Sequence, residues 1–287
     1  MVLKPSYTMH DGYRMPAGFP AENFSSALRY RARPGDVFIA TYPKCGTTWV
    51  QYMTYLLLYD AVPLPSDQRL EWAIPHLEEV GCEAIELLAE PRAIKTHLPF
   101  SMTPMNAAAR YVCVARNPFD CVVSFYHHTR GFEQHYDFAA GTFDEYFECF
   151  LAGEVDFGDY FDHLEPWYAH RNDKNVLFLT YEKMKRDVDD SVSELAQFIG
   201  CRHYDDSDLL AEVVTQSSFA NMRENQGRWS SQRPSDMPAF VRKGVVGDWS
   251  NYLSRRQANR LAEKFMRRSE SSGIVNLWPD IVAAARA

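Results

Sequence analysis

The chain has 287 residues, of which 46% are hydrophobic and 24% charged, so it is long enough to bury the core of one large α/β domain. Its formal net charge of −8 at pH 7 argues against a general nucleic-acid binder, which would carry a basic surface. The sequence shows neither a charged N-terminal segment followed by an apolar run nor an apolar stretch of membrane-spanning length, so we expect a cytoplasmic protein without nucleic-acid or membrane partners.

The predicted elements, taken in chain order, alternate between strands and helices. Residues 1–30 contain three prolines, and we expect them to form an irregular N-terminal arm. Short apolar runs that are typical of buried strands follow at residues 37–40, 93–96, 111–115 and 176–180. Helices are predicted over 50–58, over 119–128 with Pro118 in the first turn, and after the last strand as far as Gly200. This alternation predicts an α/β fold with a central parallel sheet flanked by helices.

The segment between the first predicted strand and its helix indicates an anion site. It reads Thr41-Tyr-Pro-Lys-Cys-Gly-Thr-Thr-Trp49. The backbone N–H groups of a first helical turn favour a phosphate, and Gly46 allows it to approach closely. A Walker A motif would need Gly-Lys-[Ser/Thr], whereas Thr47 follows the glycine here and Lys44 precedes it. We therefore predict a 5′-phosphate bound without a triphosphate–magnesium clamp; the alternative is an ordinary strand-to-helix turn.

A polar stretch at about residues 223–247 is predicted to be a long loop. It contains Pro234 and Pro238 and ends in Arg242-Lys-Gly244. Long loops often serve as lids, so we interpret it as a loop that covers a bound nucleotide. A surface loop without such a role is the alternative.

Four segments together resemble the cytosolic sulfotransferases. The anion-site segment is similar to the 5′-phosphosulfate loop of that family. Three further segments match in the family's order: Lys95-Thr-His-Leu-Pro99, Arg116-Asn-Pro-Phe-Asp-Cys-Val-Val-Ser124 and Arg242-Lys-Gly-Val-Val-Gly-Asp-Trp249. The resemblance runs from about residue 19 to about residue 268. It implies one domain over residues 1–287 with the P-loop-like sulfotransferase fold. It also implies transfer of a sulfuryl group from 3′-phosphoadenosine-5′-phosphosulfate (PAPS) to a hydroxyl or amine, which leaves 3′,5′-ADP (PAP).

The resemblance implies catalytic roles for three residues. His97 takes the position of the general base, and an imidazole that titrates near neutrality suits that task. Lys44 stabilises the charge that develops on the leaving oxygen, and Lys95 adds positive charge near the transferred group. A lone histidine is more often structural, and the surrounding motif is what favours the catalytic interpretation.

The resemblance also implies a donor site. Arg116 and Ser124 hold the 3′-phosphate, with Arg242 to Gly244 closing over it, and aromatic side chains surround the adenine. Ser217 falls where the family usually has threonine. The expected donor-binding residues are Lys44, Cys45, Gly46, Thr47, Thr48, Trp49, Arg116, Ser124, Tyr181, Ser217, Phe219, Arg242, Lys243 and Gly244.

The acceptor site is expected to be aromatic and to suit a small molecule such as a phenol. Its expected residues are Phe19, Trp72, Ile74, His76, Phe132, Tyr136 and Asp137. Asp137 or Glu133 is a candidate partner for a cationic amine such as a catecholamine, although acids in loops are usually only solvated. The histidines near residue 128 lack the spacing of a zinc site, so no metal is predicted.

Other functions and the oligomer stay open. A relative that uses sulfonation to dehydrate a lipid alcohol such as retinol is the alternative activity. A donor-binding scaffold is less favoured because His97 and Lys44 are both present, and a nucleotide kinase because Gly-Lys-[Ser/Thr] is missing. The family's usual dimer motif is absent after Trp249, so the sequence does not decide between monomer and dimer.

Overall fold

The computed structural model describes residues 2–229, 237 and 239–287. Its strands are β1 (Tyr7–His10), β2 (Tyr13–Pro16), β3 (Val37–Ala40), β4 (Ala93–Thr96), β5 (Arg110–Ala115) and β6 (Val176–Thr180). Its helices are α1 (Ala21–Ala27), α2 (Thr47–Leu58), α3 (Leu70–Ala73), α4 (Leu77–Glu86), α5 (Pro118–Gly131), α6 (Glu133–Tyr136), α7 (Phe143–Ala152), α8 (Tyr160–Ala169), α9 (Tyr181–Arg186), α10 (Val188–Ile199), α11 (Ser207–Gln216), α12 (Phe219–Glu224), α13 (Arg255–Ser269) and α14 (Pro279–Arg286). Short 3-10 turns cover Gln226–Arg228, Asp248–Asn251 and Ile274–Leu277.

A four-stranded parallel sheet forms the centre, in the order β4-β3-β5-β6. This confirms the predicted fold class, and the four predicted strands agree with the observed ones to within one residue. The chain leaves β3 towards β4 on one side and later returns to β5 on the other. Ligands in open parallel sheets bind where the strand order reverses in this way. The loops that follow β3 and β5 therefore meet at the expected place for a nucleotide.

Both faces of the sheet are covered. Val37 and Ile39 pack into the apolar cluster that contains α2 and α10. Phe38 and Ala40, which point to the opposite face, pack into a second cluster with Tyr111 and other residues. A strand that is buried on both faces needs an uninterrupted apolar run, which is why β3 could be recognised in the sequence.

The N-terminal arm is not irregular throughout, which corrects the sequence prediction. Strands β1 and β2 pair as an antiparallel hairpin, and α1 follows them. The connecting residues Asp11 and Gly12 have φ values of 50° and 81°. An Asp-Gly pair with positive φ at both positions is a favoured two-residue hairpin turn. The signal was present in the sequence, but the prolines on either side obscured it.

The polar stretch at 223–247 is partly helical. Helix α12 extends to Glu224, and a 3-10 turn covers Gln226–Arg228, so the predicted loop begins inside a helix. Pro234 and Pro238 lie outside the described residues. Within the described part of the chain, no helix has both the length and the apolar character needed to cross a membrane.

Candidate active site

A cavity of about 270 Å³ lies beyond the carboxyl ends of the strands. It brings together all three predicted catalytic residues, His97, Lys44 and Lys95. Most of the predicted donor and acceptor residues line the same cavity: Gly46, Thr47, Thr48, Trp49, Arg116, Ser124, Tyr181, Ser217, Phe219, Arg242, Lys243, Gly244, Phe19, Ile74, His76, Phe132 and Tyr136. One cavity thus joins both predicted sites.

Three predicted site residues do not line this cavity. Cys45 is buried in the core, where its Sγ lies 3.9 Å from the Sγ of Cys121. Trp72 is 59% exposed because its neighbours at positions 70 and 74 both point inward, which turns the intervening side chain outward. Asp137 ends α6 with φ 47° and is exposed to solvent, whereas the preceding residue is buried. The predictions that the Trp72 and Asp137 side chains line the acceptor site are therefore wrong, whereas Cys45 can contribute only its backbone to the anion-site segment.

The anion-site segment has the geometry of a phosphate cradle. Gly46 is the N-cap residue of α2 and has φ 101°. The Oγ1 atoms of Thr41 and Thr47 lie 2.5 Å apart, which fixes the first turn against the end of β3. Because the first N–H groups of a helix have no partner within it, they are available to phosphate oxygens.

Gly46→Ala is expected to weaken donor binding. A Cβ at this position would lie 2.9 Å from the Tyr181 ring, and φ 101° is strained for alanine. We expect a loss of roughly tenfold or more in PAP affinity, the size of one charge-assisted hydrogen bond. Gly35→Ala is the matched control, since Gly35 has φ +86° and nothing within 4 Å of its added Cβ. Calorimetric titration with PAP checks this, and equal losses in both variants would contradict it.

Lys44 is held with its ammonium beside the cavity. Its backbone has φ 68°, which turns the side chain away from the path of the preceding strand. Nζ lies 3.3 Å from Nδ1 of His128 and 4.5 Å from the centre of the Phe240 ring. These contacts hold a positive charge at the cavity wall, within the anion-site segment.

His97 is oriented as a base. Its Nδ1 lies 2.6 Å from the carbonyl oxygen of Thr41. A carbonyl only accepts hydrogen bonds, so Nδ1 carries the hydrogen and Nε2 keeps its lone pair. Burial, with the nearby positive charge of Lys95, holds the pKa of His97 well below its ordinary value. The ring is therefore neutral at physiological pH.

A buried carboxylate positions His97 through the backbone. Glu78 Oε1 accepts a hydrogen bond from the His97 N–H at 2.6 Å and lies 3.5 Å from Nε2 of His76. The His76 and His97 rings meet edge-on at 4.9 Å between their centres. The sequence analysis missed Glu78, because a contact across 19 residues leaves no local signal.

Lys95 lies on the same wall of the cavity. Burial lowers its pKa, and the carboxylates of Glu79 and Glu78 partly oppose that shift. Glu79 also lines the cavity, and its pKa is lowered to about 2 because His76 and Lys95 outweigh the effect of burial.

The predicted 3′-phosphate site is built around a buried arginine. The Arg116 guanidinium lies 4.4 Å from the centre of the Tyr181 ring and donates a hydrogen bond to the Val245 carbonyl at 3.1 Å. Its Nε is buried without a partner among the described residues. Arg242 and Lys243 stand nearby, each 2.7 Å from the Asp248 carboxylate. Three cations, Arg116, Arg242 and Lys243, therefore line this region of the cavity.

Asp120 ties this region together, although sequence reasoning did not select it. Its carboxylate accepts hydrogen bonds from the N–H groups of Gly247 at 2.8 Å and Trp249 at 3.0 Å. It also lies in the first turn of α5, where its own N–H bonds to the side chain of the N-cap Asn117. Asn-x-x-Asp at a helix start was the available signal.

Aromatic side chains line the predicted adenine side. Trp49 donates its indole N–H to the Ser217 carbonyl at 2.9 Å and meets Tyr181 edge-on at 5.7 Å. Phe219 packs on Gly244 so closely that a Cβ there would lie 2.5 Å from its ring. The segment that ends the polar stretch is thus packed against the donor side of the cavity.

The acceptor end is aromatic, with two residues that the sequence analysis did not select. Phe157 packs edge-on against His97 at 4.9 Å, and the neighbouring Asp156 also lines the cavity. Phe19 meets His76 edge-on at 5.3 Å on the same side. In the described ranges, no three His, Cys, Asp or Glu residues are grouped to hold a metal ion.

Comparison with known proteins gives the family. A family model described as "Sulfotransferase domain" matches residues 34–273. Rat sulfotransferase 1C2 is 33% identical over 93% of this chain and 96% of its own length, and the human protein of that name is 34% identical over 88% and 89%. A mouse sulfotransferase solved with PAP has a TM-score of 0.78 at 27% identity and covers 97% of this chain and 99% of its own. A retinol dehydratase solved with androsterone and PAP has a TM-score of 0.80 at 22% identity, covering 93% and 90%, and shares the fold.

The chain therefore belongs to the sulfotransferase domain family. It is a sulfotransferase that depends on PAPS, as its four motifs predicted.

Proposed function

We propose that this sulfotransferase transfers the sulfuryl group of PAPS to the hydroxyl, or the amine, of a small phenol, catecholamine-type monoamine or alcohol, with His97 as general base. The orientation of His97 carries the proposal. Its Nδ1 faces Thr41, while the ring lines the cavity that Lys44 and the anion-site segment also line. A neutral imidazole beside a phosphate cradle is arranged to take a proton from an acceptor.

The residues divide the reaction between them. His97 Nε2 takes the proton of the acceptor as its oxygen or nitrogen attacks sulfur and the bond from sulfur to the bridging oxygen breaks. Lys44 stabilises the negative charge that collects on that bridging oxygen, which leaves with PAP. Lys95 adds positive charge beside the transferred group. Loose, in-line transfer of this kind depends mainly on positioning and charge stabilisation.

Two groups of residues select the donor by holding its 5′-phosphate and its 3′-phosphate. Thr47 and Thr48, at the start of α2, hold the 5′-phosphate. Arg116 and Ser124, with Arg242 and Lys243, hold the 3′-phosphate. This proposal is supported by the placement of these cations around one region, and the aromatic pair Trp49 and Tyr181 beside it suits a purine.

An assay with labelled PAPS tests the function. The acceptor panel is phenol, dopamine, octopamine, a hydroxysteroid and retinol. We expect label on the phenols or monoamines as a stable sulfate ester, and no phosphate transfer from ATP with Mg²⁺. No transfer to any member would contradict the proposal, and loss of water from retinol without a stable ester would favour a dehydratase. The likeness to retinol dehydratase concerns the fold and does not favour that outcome. The cytoplasmic location stays a prediction.

The pH dependence of kcat/KM is expected to reflect the lowered pKa of His97. The base works in its neutral form, so activity falls as pH drops through that pKa. Because burial lowers the pKa, the fall should lie clearly below about pH 6.5, the ordinary value for histidine. Initial rates with the neutral acceptor 4-propylphenol, at several pH values below neutrality, measure this. A fall centred at or above the ordinary value would be inconsistent with it.

A further inference from the structure

The buried carboxylates of this protein are almost all matched by cations or backbone N–H groups. Asp36 accepts hydrogen bonds from Arg92 and from the Arg33 N–H. Asp248 pairs with two cations, and Asp120 accepts two backbone N–H groups. Oε1 of Glu78 accepts the His97 N–H and lies 3.5 Å from His76 Nε2, while its Oε2 has no hydrogen-bond partner among the described residues. Such pairing is what burial of a carboxylate normally requires.

Asp156 differs from these carboxylates, because in the described part of the chain its only side-chain hydrogen bond comes from a hydroxyl and not from a cation or a backbone N–H of another residue. It is 1% exposed and lines the cavity, yet it forms no ion pair with any described residue. Its Oδ2 accepts a hydrogen bond from the Tyr136 hydroxyl at 2.7 Å, and its Oδ1 has no partner in the described part of the chain. The nearest cation on the neighbouring hairpin, Arg14, is directed to the Gly153 carbonyl and to the Tyr7 ring instead.

The surroundings of Asp156 leave its charge poorly compensated. Burial raises the pKa of this carboxyl to about 7, and the Tyr136 hydroxyl, the backbone N–H of Asp156 itself and the charges of Arg14 and Lys44 only partly offset that effect. A carboxylate that is buried without a cation lowers the stability of the protein unless a ligand supplies the compensating positive charge. A cation that enters the cavity would supply it.

We propose that Asp156 binds the protonated amine of an acceptor, so that the protein prefers phenols that carry an alkylammonium group over neutral phenols. The proposal rests on the proposed function, since it concerns the acceptor of the same reaction. Phe157, the next residue, packs edge-on against His97 at 4.9 Å, and the carboxylate, the ring and the base all line the same cavity. A phenol whose hydroxyl reaches His97 would extend along Phe157 towards Asp156. The exposed Asp137, the candidate from the sequence, has no part in this.

The test compares tyramine with 4-propylphenol, which has the same size and shape but a methyl group in place of the ammonium. The measured quantity is the ratio of kcat/KM for tyramine to kcat/KM for 4-propylphenol. In Asp156→Asn we expect this ratio to fall about tenfold or more, the effect of one charge-assisted hydrogen bond. Asp137→Asn makes the same chemical change on the surface, and its ratio should equal that of the unaltered protein.

The outcomes distinguish failure of the proposed amine site from failure of the proposed sulfotransferase activity. An unchanged ratio in Asp156→Asn, with 4-propylphenol still sulfonated, would overturn the amine site and leave the sulfotransferase proposal standing. Failure of the unaltered protein to sulfonate either phenol would overturn both. The unaltered protein also gives a test that needs no variant, because its KM for tyramine should be about tenfold below that for 4-propylphenol. Equal KM values for the two phenols would count against the amine site even if Asp156→Asn did not fold.

Discussion

His97→Ala is expected to lower kcat for sulfonation by about 10³-fold, within the range of general base catalysis. The substitution removes the imidazole whose Nδ1 is held by the Thr41 carbonyl, just after β3. The acceptor hydroxyl would then have to lose its proton to water as it attacks. Steady-state rates with labelled PAPS and 4-propylphenol measure the effect.

PAP affinity should change little in the same variant, because the phosphate cradle and Arg116 lie on other loops. Calorimetric titration measures that affinity, and His170→Ala serves as a matched control. His170 is a half-exposed imidazole that stacks on Phe100 at 3.8 Å, away from the cavity. Loss of PAP binding together with turnover would mean that His97 supports the fold of the site rather than the chemistry.

The neighbouring His76 provides a sharper comparison. Its ring lies 4.9 Å from that of His97, and its Nε2 is buried without a hydrogen-bond partner among the described residues. If His97 is the base, His76→Ala should act mainly on KM for the acceptor. A larger loss of kcat in His76→Ala than in His97→Ala would mean that His76, and not His97, is the general base.

The sequence was informative wherever a local pattern has a single structural meaning. A four-residue apolar run such as Val37 to Ala40, placed after a Pro-Gly turn, is typical of a strand that is buried on both faces, and the observed β3 has those bounds. The anion-site segment combines a glycine at a strand-to-helix turn with hydroxyl groups, and the structure gives that glycine a positive φ at the start of α2. Because the strands are parallel, residues after their carboxyl ends had to converge on one edge.

The sequence was poorly informative about side-chain direction in short irregular segments. Trp72 and Asp137 are close in sequence to residues that line the cavity, but their own side chains are exposed to solvent. Each lies in a short helix or turn beside a residue that is buried. Glu78 and Asp156 reach the site from segments without any motif, and what distinguishes them is burial and partnership. Those properties arise only when distant elements pack together.

Arg116→Ala is expected to lower the affinity for PAP by about 100-fold, the loss that follows removal of a bidentate, charge-assisted contact to phosphate. The affinity for 5′-AMP, which lacks the 3′-phosphate, should fall by no more than about threefold. The preference for PAP over 5′-AMP would thus nearly disappear. Competition binding with both nucleotides measures it directly.

Arg171→Ala is the matched control for this experiment. Arg171 also lies over a tyrosine ring, 4.0 Å from the centre of Tyr168, but at an exposed position just after the C-terminal end of α8. It therefore reports what loss of an arginine-over-tyrosine contact does to stability alone. We expect Arg171→Ala to bind both nucleotides like the unaltered protein.

The comparison of two nucleotides is needed because Arg116 has a second role in the structure. Besides its contact with Val245, it donates to the Lys44 carbonyl at 3.4 Å, so it links the anion-site segment to the segment after Gly244. If that link were its whole contribution, Arg116→Ala would weaken PAP and 5′-AMP equally. Arg116→Lys separates the roles further: a lysine keeps a positive charge for the 3′-phosphate but cannot reproduce the planar fork. Partial recovery of the PAP preference in Arg116→Lys would assign recognition of the 3′-phosphate to this residue.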